Sequence, residues 1–259
     1  MNSLIFISLI FISFSFSDDY PLKDGKPTSK GIEQYIEDKG ESLIQEYQDF
    51  VGDTLYDIWI YAEDLTYYDV HDSLELGRYY SNEIYIATAE LFLAYELADL
   101  SKAQKSSIQE SNKFVKSTVF HELTHDYFNQ ISTEMRTVDS VHVDKAYRTN
   151  LWIIRSYETF GSIFIEEGVC EYMAGRMGEI IPPLSLYIPQ SIEELTNRYN
   201  TYSVTYKYSS FYVSSFLNST GFKKGVKILL HNPPPTYEEI LKPELFFSRL
   251  EKADPGHGF

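Results

Sequence analysis

The stretch His121-Glu122-Leu123-Thr124-His125 decides how this chain is read. On a helix it sets two imidazoles one turn apart on one face, within reach of a single metal ion. The carboxylate between them turns aside, where it can hold and deprotonate a water. Phe114, Val115, Val119, Phe120, Leu123, Tyr127, Phe128 and Ile131 recur at three- and four-residue intervals around it, which predicts a buried amphipathic helix. A single buried His is ordinarily a hydrogen-bonded core residue. Two at i and i+4 on one buried helix are costly without a shared partner. The pattern therefore implies zinc and metal-assisted hydrolysis, with His121 and His125 as ligands and Glu122 as general base.

A catalytic zinc takes three protein ligands and leaves the fourth position to water, so a further ligand must lie downstream. Phe128 and Ile131 stand where the H-E-x-x-H-x-x-G-x-x-H pattern needs Gly and His, which excludes the metzincin arrangement. About 40 residues on, Ser162 to Ala174 predicts a second apolar helix carrying Glu166, Glu167 and Glu171. Ile163, Phe164, Ile165, Val169, Cys170, Tyr172 and Met173 leave it little room for a solvated acidic face. Glu167 is the expected ligand, because Glu171 one turn later shares its face and can accept the second ring N–H of a ligand His. Gly168 is expected to let this helix approach the metal helix closely. Glu166 is the alternative ligand. Cys170, a soft ligand by chemistry, reads rather as a small core residue. His142, in the polar stretch between the two helices, is a candidate ligand or transition-state donor but reads rather as solvent-exposed. Either one in the fourth zinc position would make the site structural.

With these residues in place, the chain resembles the gluzincin side of the zincin-like metallopeptidases, in which H-E-x-x-H is completed by a Glu on a following helix. More narrowly it is similar to a group of uncharacterised bacterial and archaeal metalloproteases. Four blocks carry the likeness: Gly77-Arg78-Tyr79 to Ile84-Tyr85-Ile86, Val119 to His125, Phe164-Ile165-Glu166-Glu167-Gly168, and Pro233-Pro234-Pro235-Thr236-Tyr237-Glu238-Glu239 to Glu244. The resemblance spans about residues 77 to 247 and implies Glu167 as third ligand. The chain departs from it at Val169-Cys170, where a small polar residue and an Ala are expected, and at Lys242, where relatives tend to carry His. Those departures bear on substrate more than on the metal.

The rest of the chain bounds the answer. Residues 1–17 hold no charge and run through Leu4-Ile5-Phe6-Ile7 to Phe16, which reads as a signal peptide, with an uncleaved anchor as the alternative. Residues 18–30 read as a polar linker, and 31–259 as one metallopeptidase domain. One cysteine cannot form an internal disulfide, so the core must stabilise an exported chain; with 43% hydrophobic residues it has the material. A net charge of −16 argues against nucleic acid or an anionic membrane as partner.

A helix is expected near Ile32 to Phe50, and Leu76 to Ala87 reads as a β-hairpin that would line a cleft beside the metal helix. Tyr206 to Leu217 reads as helical. One of Tyr206, Tyr208 and Tyr212, with Tyr208 chosen, would hydrogen-bond a tetrahedral oxyanion. Thr236 to Glu239 is a capping box.

The sequence thus predicts an α+β, mostly helical, zincin-like fold with a small sheet or hairpin beside the motif helix. Its expected function is that of a secreted or periplasmic zinc peptidase acting on peptide or protein substrates. A catalytically silent zincin-fold binding protein and a closed, structural zinc site are the competing readings.

Overall fold

The structure, a computed structural model, describes residues 22–23, 26–27, 29–63, 77–80, 82–87, 108–138, 159–178, 186–197, 200 and 202–253. The expected signal peptide, residues 64–76 and His142 lie outside the described residues. The described part is mostly helical with a three-stranded sheet, as an α+β chain should be. Among the described residues no helix is long and apolar enough to cross a membrane.

The chain divides into two compact units. One comprises the chain through Asp126 together with Ala174–Ile180, the other Tyr127–Met173 and Ile181–Phe259. The described part of the first begins with two short paired strands, β1 (Leu22–Lys23) and β2 (Lys26–Pro27), and helix α1 (Ser29–Val51). The expected linker therefore ends within this helix's first turns. Ile32, Tyr35, Ile36, Leu43, Ile44, Tyr47 and Val51 form its buried stripe at helical spacing. Gly52 ends it in the left-handed conformation, φ 65°, its N–H returning to the Gln48 carbonyl.

The sheet follows: β3 (Trp59–Glu63), β4 (Gly77–Tyr80) and β5 (Glu83–Ala87), in the order β3-β5-β4. β4 and β5 form the expected antiparallel hairpin, turning through Asn82 at φ 68°, while β3 pairs parallel with β5. Cross-strand partners share a face, so Ile60, Ala62, Ile84, Ile86, Tyr79 and Gly77 line one side. Ile84 and Ile86 are wholly buried there. Among the described residues β4 is an edge strand of this sheet.

The motif helix, α2 (Ile108–Val138), has its N-terminal half in the first unit. The Tyr47 hydroxyl meets Thr124 Oγ1 at 3.1 Å, and Thr124 donates to the Phe120 carbonyl one turn back. Tyr47 also packs against the Phe120 ring. The last turns of α3 (Phe160–Gly178) close on α2 through small residues. Ser117 donates to the Ala174 carbonyl at 3.2 Å, and a Cβ on Gly178 would stand 2.6 Å from Ser117 Cβ.

In the second unit, a seven-residue π-helical turn (Tyr202–Tyr208) runs into α5 (Ser209–Thr220). Gly221, at φ 79°, separates it from α6 (Phe222–His231). The capping box at Thr236 then starts α7 (Tyr237–Leu241), with α8 (Pro243–Ala253) after it; a short α4 (Ile192–Thr196) precedes the π turn. Phe164, Tyr208, Tyr212, Phe216, Phe246 and Phe247 form a continuous chain of ring contacts. Arg249 of α8 bonds Glu239 at 2.7 Å and the Pro233 carbonyl at 3.0 Å, tying α7 and α8 to the proline run.

Candidate metal centre

The motif falls in the middle of α2, where neighbouring turns are buried by Val119, Phe120, Leu123, Tyr127 and Phe128. His121 and His125 are half-buried on one face, with ring centroids 5.0 Å apart and planes inclined at 65°. Their Nε2 atoms lie 3.3 Å from one another. Two nitrogens each about 2.05 Å from a tetrahedral zinc would be about 3.3 Å apart, whereas a 90° octahedral angle would bring them to about 2.9 Å. The donor pair thus fits a shared tetrahedral ion.

Glu122 is 5% exposed and points about 100° round the helix from His121. It meets the core face of the hairpin. A Cβ on Gly77 of β4 would stand 2.6 Å from Glu122 Oε1 and 2.8 Å from both Glu122 Cγ and Thr118 Cγ2. The expected strand beside the motif helix is therefore present, and its Gly77 lies against the carboxylate. Asp126, one turn beyond Glu122 on the same face, is fully buried.

On α3, Ala174 and Gly178 face α2 through their contacts with Ser117. Counting back at helical spacing puts Cys170, Glu171 and Glu167 on the same stripe and Glu166 about 100° away from Glu167. The Cys170 thiol is buried, and its Sγ joins His121 and His125 in a group of donor atoms all within 4.8 Å of one another, able to hold a metal ion. Glu167 and Glu171 are half-buried and stand outside that group. Cys170, expected in the core with a metal-ligand role as the alternative, is both buried and grouped with the imidazoles.

Two expectations are corrected. Gly168 does not serve the contact with the metal helix: a Cβ there would lie 2.7 Å from the Ser209 carbonyl oxygen, so its missing side chain admits the start of α5. The close approach to α2 is made by Gly178. Tyr208 gives its one hydroxyl proton to the Ile240 carbonyl at 2.9 Å and packs against Phe164. Burial, with the nearby Glu244 charge, raises its pKa, which keeps that proton in place. A phenol so committed has none to offer an oxyanion. Tyr212 likewise donates to the Glu239 carbonyl. Of the three tyrosines considered, Tyr206 is the one half-exposed, on the π turn.

Comparison with protein-family models, curated proteins and solved structures gives no match for this chain.

Proposed function

We propose that this chain is a zinc-dependent hydrolase of zincin-like fold, acting on peptides outside the cytoplasm. The observation that carries the reading is the 3.3 Å separation of the His121 and His125 Nε2 atoms beside a buried Glu122. A metal supplies the reason for two half-buried imidazoles to converge, and zinc suits nitrogen donors at that spacing. Bound there, zinc would acidify a water and polarise a carbonyl.

His121 and His125 hold the ion from α2, and the third ligand comes from the α3 stripe. Glu167 is that ligand on the sequence pattern, supported by the stripe that Ala174 and Gly178 define. Glu171, one turn on, accepts from a ligand imidazole and fixes its tautomer. Glu122 takes a proton from the attacking water and returns it to the leaving amine, its carboxylate held against β4. The edge position of β4 favours a peptide over other acyl substrates, because an extended chain can pair with a strand edge.

A second reading has one observation in its favour. The Cys170 thiol is grouped with the two imidazoles, and a thiolate added to His121, His125 and Glu167 would close the shell and make the zinc structural. The deciding experiment is zinc content and turnover on a peptide library for the native chain and Glu122→Gln. The amide fills the same space but accepts no proton, so zinc should stay and turnover should vanish. Retained turnover in Glu122→Gln removes the proposed mechanism.

A further inference from the structure

We infer that Gly77 is a positioning residue for Glu122: the bare backbone of β4 packs against the carboxylate and clamps it in place. This rests, for its catalytic meaning, on the hydrolase reading above. The steric part stands on its own. Gly77 pairs with Ile86 and so belongs to the core face of the sheet, the face that also carries the buried Ile84. Thr118 and Glu122 are one turn apart on α2, and both meet the space a Cβ at position 77 would fill.

Three atoms at 2.6 to 2.8 Å from that point leave no room for a methyl group. Nothing in the local chain demands the glycine, since Gly77 has no positive φ and begins an ordinary strand. Its absence of side chain is explained by the approach alone. A buried carboxylate on a helix keeps several rotamers unless something removes them. Here the strand backbone, Thr118 and the rigid α2 together hold Glu122 on one side. A base held this way meets its proton without first reorganising, whereas displacement by about 1 Å costs on the order of 100-fold in rate.

The test is a double-mutant cycle in the metal-free full chain, read by urea midpoint for the native protein, Gly77→Ala, Glu122→Ala and both together. The clamp predicts that Gly77→Ala lowers the midpoint in the native background and lowers it clearly less in the Glu122→Ala background, because two of the three crowding atoms are gone. Equal losses in both backgrounds overturn it. So does failure of Gly77→Ala to fold in both, which would place the conflict on Thr118 or the strand. Folding of Gly77→Ala only when combined with Glu122→Ala supports it.

In the zinc-loaded protein, Gly77→Ala should lower kcat about 100-fold while zinc content and KM stay near native. A raised KM with native kcat would overturn the positioning role. If no substrate is turned over by the native chain, the hydrolase reading fails, and the stability cycle still decides whether the clamp exists.

Discussion

Replacing His125 with Ala separates two accounts of the same 3.3 Å contact between imidazole nitrogens. If the pair holds a tetrahedral ion, each nitrogen sits about 2.05 Å from it and the angle between them is about 107°. Structural zinc binding amounts to about 10–16 kcal/mol over four ligands, so one ligand contributes about 3 kcal/mol. At about 1.4 kcal/mol per decade, losing His125 should raise the zinc Kd about 100-fold. If the contact is only an imidazole–imidazole hydrogen bond, the variant loses about 0.5–1.5 kcal/mol of stability and its zinc affinity does not change.

Competition against a chromophoric chelator measures the affinity directly. Denaturation with and without zinc provides the second readout. At free zinc about 100 times the native Kd, the native fold gains about 2.7 kcal/mol, and a variant with a 100-fold weaker site gains only about 0.4 kcal/mol. Equal zinc-dependent gains in the two proteins, with affinities within about threefold, would refute the metal pair.

Cobalt substitution should show which α3 side chain completes the set. With Glu167 as ligand and Cys170 only adjacent, Glu167→Ala weakens the metal about 100-fold and no sulfur-to-cobalt charge-transfer band is seen; a band that disappears in Cys170→Ser instead assigns the thiolate and the closed site. Tyr208→Phe should cost about 1 kcal/mol by leaving the Ile240 carbonyl unmet, measured by urea unfolding, and should leave kcat within about twofold of native; a larger loss in kcat restores Tyr208 to the reaction. Glu239 titrates below the usual carboxylate range: burial pushes its pKa up, but hydrogen bonds from Arg249 and Thr236 and the Arg249 charge outweigh it. Its folded-state pKa is depressed, so its stabilisation is present above about pH 4.5 and is lost as pH falls through the lower folded value. Urea midpoints measured from pH 6 to 3 should therefore fall less steeply for Glu239→Gln than for the native chain.

What the sequence made legible is local. The apolar stripe of α1, the β4–β5 hairpin, the motif helix and the Thr236 capping box each depend on residues within a few positions of one another, and periodicity or turn chemistry exposes them. The parallel pairing of β3 with β5 depends on a crossover that no local pattern encodes. Tyr208 was misread for a related reason. A Tyr among aromatics looks equally suited to a site or a core until its acceptor is known, and that acceptor, the Ile240 carbonyl, lies 32 residues away. Gly168 signalled a close approach correctly, but a missing side chain does not say what approaches.

Helix α2 must satisfy several partners at once. Its Phe120 and Thr124 meet Tyr47 of α1, its Ser117 meets the small residues of α3, and its Thr118 and Glu122 meet the bare strand at Gly77. His121 and His125 lie on the arc between the Ser117 contact and the Glu122 contact on this helix and are half-buried. A helix spaced only for burial would fill that arc with apolar side chains or with solvated charges. Two imidazoles at donor distance do neither, and they belong to a group able to hold a metal ion. The peptide substrate rests on more distant ground, the edge position of β4, and it is there that activity profiling can change the account without disturbing the centre.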